Sequence, residues 1–289
     1  MGSIISKYWN KFKFGNYLTK LLYINIAVYV LVSLSRLFVF LMHFENQGIY
    51  YILNYLMLPA NLETLKYQPW TPITYMFTHE EIFHIVFNML WFYWFGKIFI
   101  DYLSSKKLLY TYVIGGLFGA LFYILAFNLF PAFQDIVSVS KALGASAAVI
   151  AVVVTISFYV PEYRMNVLFI GQVKLKHIAL FTIIIDFLSI ASENSGGHIA
   201  HLGGAFYGIC YCLLLRQPRL KFPSFRLPKF KSNKTFFNKN VREMSDEEYN
   251  YRKAQLQKEI DRILDKISKQ GYESLSKKEK ETLFKSSHK

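Results

Sequence analysis

Six apolar stretches, at residues 20–42, 80–100, 108–130, 143–160, 177–193 and 198–216, constrain this chain more than any other feature. A hydrocarbon core about 30 Å thick takes roughly 20 helical residues to cross, and each stretch comes near that length. Lipid offers no partner to backbone N–H and C=O groups, so the stretches are expected to be helices rather than open strands. Composition agrees: 53% hydrophobic and 18% aromatic residues exceed what a soluble domain of 289 residues needs. The expected class is an all-α polytopic membrane protein, a six-transmembrane-helix bundle.

Charge orients the bundle. Most of the net charge of +14 flanks the apolar stretches, which points to membrane orientation rather than nucleic acid. The basic residues between 7 and 20, Lys106 and Lys107, Arg164 with Lys174 and Lys176, and the run after Arg216 share one side. The positive-inside rule puts both termini in the cytoplasm, and a bacterial cytoplasmic membrane is the expected location. The first connection, about 43–79, is long and apolar, and its amphipathic pieces at 49–58 and 70–77 are expected to lie in the interface. Residues 216–242 carry no acid, hold prolines 218, 223 and 228, and read as a strip adhering to anionic lipid; RNA binding is the weaker alternative. From about 246 the pattern turns helical, with Ser276 and Glu279 spaced as a capping box. The expected layout is therefore a cytoplasmic leader (1–19), a membrane domain (20–216), a basic juxtamembrane linker (217–245) and a cytoplasmic helical hairpin (246–289). Gly2 sits in a short N-myristoylation pattern. Cys210 and Cys212 point to different helical faces and suggest neither a disulfide nor a metal site.

Polar residues inside the apolar stretches mark the place to look for chemistry. Counting residues from the span ends, Ser146 and His201 each lie about four residues in, with His84 and Asn88 one and two turns down the second span. At ~1.5 Å per residue all four fall in one layer ~6–12 Å deep. His201, Gly204, Ala205 and Gly208 share a helical face, and Gly144 with Ala148 makes a small pair beside Ser146. Such surfaces let helices approach closely, as a serine hydroxyl must to reach an imidazole. Ser146 is then the candidate nucleophile and His201 the general base. His84, Asn88 and the Ser146 backbone N–H are candidate donors to an oxyanion. Gly115 and Gly119 read as packing residues, and Arg36 as snorkelling. Asp186 lies close to the site's level and reads first as an interhelical hydrogen bond, with tuning of His201 as the sharper alternative; His198 reads as a gate or surface residue.

These motifs resemble the rhomboid family of intramembrane serine proteases. The matching pieces are Gly144-Ala145-Ser146-Ala147, His79 to Asn88 (HEEIFHIVFN) and Ala200 to Gly208 (AHLGGAFYG), within residues 20–216 and in the family's order. The resemblance implies a six-helix rhomboid-like bundle and a Ser146–His201 dyad without a third acidic member. It also implies oxyanion donors at His84 and Asn88, with His79, Gly144 and Gly204 in support. No cofactor and no metal is expected; a zinc site from His79, His84, His198 and His201 lacks an acidic ligand set. Expected substrates are single-pass or polytopic membrane proteins, cleaved in or near transmembrane segments, and no nucleic acid is expected as a partner. Ala147 replaces the usual glycine, Ile150 stands where many members have a tyrosine against the histidine, and the Trp-Arg pair of the first loop is not evident. The alternatives are a catalytically inactive rhomboid-like protein that binds membrane clients, and a small-solute transporter, for which no internal repeat is found.

Overall fold

The computed structural model describes residues 9, 12–43, 47–167 and 170–217, and the isolated positions 263, 266, 267, 275, 276 and 279. Gly2 and the basic strip from 218 lie outside the described residues. Two compact units, 1–222 and 223–289, divide the chain.

The first unit is mostly helical, and each expected apolar stretch contains a helix. The helices are α1 (Tyr17–Leu41), α2 (Gln47–Leu56), α3 (Leu62–Tyr67), α4 (Thr71–Thr74), α5 (Ile82–Tyr102), α6 (Ser105–Leu129), α7 (Ser146–Tyr159), α8 (Leu175–Leu188) and α9 (Ser195–Arg216). Four of them, α1, α5, α6 and α9, are long and apolar enough to cross a membrane. The other two differ from expectation: α7 and α8 span 14 residues each, ~21 Å of rise, short of a full hydrocarbon core.

The reason for the short α7 is local. Gly144 has φ +117°, a backbone conformation that ends any helical run before it. Residues 143–145 are therefore non-helical, although their hydropathy continues the stretch, and the helix opens at Ser146 itself. Side chains from Ala147 to Ser157 along α7 are all buried, the signature of a helix apolar on every face.

Small residues set how closely α7 is held. A Cβ added to Gly115 or Gly119 of α6 would lie 2.2 Å from Ala151 Cβ or 2.6 Å from Ala147 Cβ. On α9 a Cβ at Gly204 would lie 2.1 Å from Ala147 O. The extra methyl of Ala147 is thus accommodated by glycine on its neighbours, and Gly115 and Gly119 pack as the sequence suggests. Thr155 Oγ donates to Ala151 O (2.7 Å) and to Gly208 O (3.2 Å), adding a polar tie across α7 and α9.

The long first connection folds against the site. Helices α2 and α4, with a 3-10 turn at Tyr75–Phe77, occupy its two amphipathic pieces. A short antiparallel pair joins β1 (Leu58–Pro59) to β2 (Lys141–Ala142), tying this connection to the segment just before Ser146. Buried Tyr75 and Tyr112 add to the tie: Tyr75 OH donates to Gly116 O (2.5 Å) and Tyr112 OH to Met76 O (2.9 Å). Asn25, buried in α1, donates to Tyr112 OH at 3.1 Å. Between α7 and α8, β3 (Arg164–Val167) and β4 (Gly171–Lys174) form an antiparallel hairpin. Beside it, hydrogen bonds from Lys174 and then Lys176 hold the Glu162 carboxyl down to about 2.

In the second unit, Ser276 N–H donates to Glu279 Oε2 (2.8 Å) and Glu279 N–H to Ser276 Oγ (3.3 Å), the reciprocal pair of a capping box.

Candidate active site

Ser146 is the first residue of α7, one position after the Ala145 N-cap. This differs from the depth of four residues expected from the sequence, and it changes the chemistry available. The first backbone N–H groups of a helix have no partner inside it, and they carry the positive end of its dipole. The Ser146 N–H therefore stands beside its own hydroxyl, facing a place where an anion would be stabilised.

The loop that delivers Ser146 is built around Gly144. Its N–H donates to Tyr75 O at 2.9 Å. A Cβ there would meet His84 Cε1 at 2.8 Å and Nε2 at 3.0 Å, so the imidazole of α5 lies directly over the glycine. His79, fully buried, accepts the Ala145 N–H on Nε2 at 3.3 Å. Burial, and then the neighbouring His84, pushes His79 down to about 4, so it stays neutral and free to accept. Arg36, half exposed, donates from its guanidinium to Glu80 O (3.1 Å) and pairs with the Glu80 carboxylate (3.5 Å).

From α9, His201 meets the serine. Ser146 Oγ–H donates to His201 Nε2 at 2.6 Å, with both side chains part-buried. Residues 55 positions apart thus form a nucleophile–base pair at hydrogen-bonding distance. The other ring nitrogen is also occupied: His201 Nδ1–H donates to Asp186 Oδ1 at 2.8 Å. His198 Nδ1–H donates to the same oxygen, also at 2.8 Å. Asp186 does make the interhelical hydrogen bond expected of it, and one of its partners is the candidate base. His198, expected to be a gate or surface residue, is a ligand of that carboxylate.

The candidate oxyanion donors are placed unequally. The His84 ring lies against Gly144, two residues before Ser146. Asn88, buried one turn further along α5, donates from Nδ2 to His84 O at 2.9 Å, which occupies one of its two amide N–H groups. As to metals, Asp186, His198 and His201 offer three ligand atoms within 4.8 Å of one another. Their 2.8 Å contacts are satisfied as hydrogen bonds. His79 and His84 are not members of that cluster.

Ile150, which replaces the aromatic ring expected near the histidine, is buried with Val154, Ala179 and Ala205. The histidine's polar partner comes instead from α8, through the carboxylate of Asp186, the sharper of the two readings that its sequence position allows.

A family model described as "Rhomboid domain" matches residues 66–218, and a second, described as "Family of unknown function", matches 244–289. The chain is similar to "RHOMBOID-like protein 12, mitochondrial" of Arabidopsis thaliana, 32% identical over 53% of this chain and 48% of the relative. It is 26% identical to "Rhomboid protein 1, mitochondrial" of Saccharomyces cerevisiae, over 68% of this chain and 52% of the relative. It is 24% identical to the human "Presenilin-associated rhomboid-like protein, mitochondrial", over 47% of this chain and 35% of the relative. The chain spans between a third and about half the length of these relatives. Their names and sources are mitochondrial and eukaryotic, which overturns the bacterial cytoplasmic membrane expected from the sequence, and with it the cytoplasmic frame for the termini. A membrane setting stands, on the four helices long and apolar enough to span and on the matching domain, and the chain belongs to the rhomboid family.

Proposed function

We propose that this protein is an intramembrane serine endopeptidase that hydrolyses peptide bonds in or near the transmembrane segments of other membrane proteins. The observation that carries the reading is the 2.6 Å hydrogen bond from Ser146 Oγ to His201 Nε2 at the mouth of a helical bundle. In this reading all six apolar helices lie in the membrane, α7 and α8 as short spans at the centre and edge of the bundle. Residues 217–245 adhere to anionic lipid through their basic side chains.

The chemistry follows from the bond. His201 Nε2 takes the Ser146 proton as Oγ attacks the substrate carbonyl carbon, giving a tetrahedral intermediate with its negative charge on the former carbonyl oxygen. The Ser146 N–H, His84 and the second N–H of Asn88 donate to that oxygen, in a setting with little water to compete. The C–N bond then breaks as His201 returns the proton to the leaving amine, which leaves an acyl-Ser146 ester. A water attacks the ester, His201 takes its proton and passes it to Ser146 Oγ, and the free carboxyl product departs.

The test is cleavage of a model single-pass substrate co-reconstituted in liposomes with wild type, Ser146→Ala and His201→Ala. Cleavage by wild type alone is expected. Equal cleavage by all three would overturn the assignment of these residues, and no cleavage by any would favour a client-binding, inactive relative.

A further inference from the structure

A buried aspartate near the end of a largely apolar helix calls for a partner, and here one partner is the base of the proposed dyad. Asp186 is the only acid in α8, and α7 and α9 contain none. It is 5% exposed, while its neighbours Ile184, Ile185, Phe187 and Leu188 face outward. In the last turn of α8, Asp186 is thus the side chain turned into the bundle. There one carboxylate oxygen accepts two N–H bonds, from His201 Nδ1 and His198 Nδ1, both at 2.8 Å. A buried carboxylate is tolerated when it is hydrogen-bonded this way.

We propose that Asp186 is a positioning residue that fixes the His201 tautomer, so that Ser146 and His201 work with a third, orienting member, Asp186. This rests on the protease reading above and deepens it. A neutral imidazole carries one proton on either nitrogen, and only the form with Nδ1–H leaves Nε2 free to take the serine's proton. The bond to Asp186 selects that form and fixes the ring plane, aiming Nε2 at Ser146 Oγ 2.6 Å away. When Nε2 takes the proton, the carboxylate beside Nδ1 stabilises the imidazolium, and no further proton moves to Asp186. His198, one turn before His201 on α9, holds the carboxylate in place from the other side. The same contact joins α8 to α9, so helix docking and base orientation are one interaction. Ile150 is consistent with this division of labour, because it offers the ring no polar or aromatic support.

The test uses the full chain in detergent micelles with ¹⁵N-labelled histidine, assigning His201 by loss of its signal in His201→Gln. Wild type is expected to show His201 protonated on Nδ1, and Asp186→Asn to shift the population toward Nε2–H. On the model substrate, Asp186→Asn should lower kcat on the order of 10²-fold with KM within about twofold. His198→Gln, which leaves the Asp186–His201 bond in place, should retain the wild-type tautomer and lose only about threefold in kcat. Wild-type His201 protonated on Nε2 would overturn the proposal, as would Asp186→Asn with kcat within threefold of wild type. Equal losses from Asp186→Asn and His198→Gln, with the tautomer unchanged, would also overturn it by assigning the cluster to packing. A wild type that shows the Nδ1–H tautomer but cleaves nothing supports the positioning bond and counts against the protease reading instead.

Discussion

Replacing Gly204 with alanine should disable the site without removing any reacting atom. Its new Cβ would lie 2.1 Å from Ala147 O, and real Cβ atoms essentially never approach other atoms closer than 3.0 Å. The obstacle is backbone, buried in α7, so it cannot swing aside as a side chain would. Relief requires α7 and α9 to part by at least 0.9 Å, from 2.1 to 3.0 Å. Ser146 is the residue before Ala147, and His201 lies one turn before Gly204, so the dyad straddles the same contact. Carried along that line, the 2.6 Å Ser146–His201 bond would lengthen to about 3.5 Å, beyond the ~3.0 Å limit for an O–H hydrogen bond. Loss of general-base contact costs about 10²–10⁴-fold in rate. Overpacking costs about 1–3 kcal/mol of stability, against a helix-propensity gain from Gly to Ala of at most about 1 kcal/mol. The net expectation is a folded protein, modestly destabilised, with kcat down at least 10²-fold. Gly208→Ala supplies the graded control, since its Cβ would start 2.8 Å from Ala151 O and needs only 0.2 Å of relief to reach 3.0 Å. Initial rates on a fluorogenic transmembrane substrate, read beside thermal melts, decide the matter. Gly204→Ala cleaving within threefold of wild type would refute the claim that helix spacing sets the dyad.

Other perturbations test the surrounding frame. Asn88→Ala should lower kcat by about 10²–10³-fold with little change in KM, because the second amide N–H is assigned to the transition state; an equal rise in KM would reassign it to substrate binding. Gly144→Ala combines an unfavourable φ of +117° with a Cβ 2.8 Å from the His84 ring, so about 1–3 kcal/mol of strain is expected, and unchanged melting and turnover would contradict it. His79 has its proton affinity lowered from 6.5 to about 4, so the unfolded chain binds a proton that the folded chain does not across that window. Its contribution to stability is present above 6.5 and lost progressively as pH falls to about 4. Melting temperature should therefore fall less steeply over that window in His79→Gln than in wild type, and identical slopes would reject the role of His79.

Much of this arrangement was readable from residue order because membrane burial leaves a plain trace. Apolar length located the four helices long enough to cross a membrane and two shorter ones, and the small residues at 115, 119, 204 and 208 announced close contacts that the structure contains. Ser146 and His201 stood out because polar groups in apolar runs need a reason. Hydropathy, however, does not register backbone conformation: the apolar stretch runs through the non-helical turn at Gly144, and a depth counted along it sets the serine too deep. The β1–β2 pair spans only two residues a side and leaves no period to detect. Asp186 is visible as the one acid of a largely apolar helix, but its partners lie 12 and 15 residues away across a turn, and ring orientation is not written in spacing. Which membrane holds the chain was beyond reach, since the physical chemistry of a span is much the same in every bilayer.

A fluorophosphonate probe reports most directly on whether Ser146 is an activated nucleophile, because it needs no knowledge of the natural substrate. Intact-protein mass spectrometry should find one adduct on wild type, mapped by peptide digestion to Ser146. His201→Ala should label at least 10²-fold more slowly and Ser146→Ala not at all. Labelling of wild type and His201→Ala at equal rates, or an adduct on another serine, would contradict the assignment of Ser146 and His201 as a working pair.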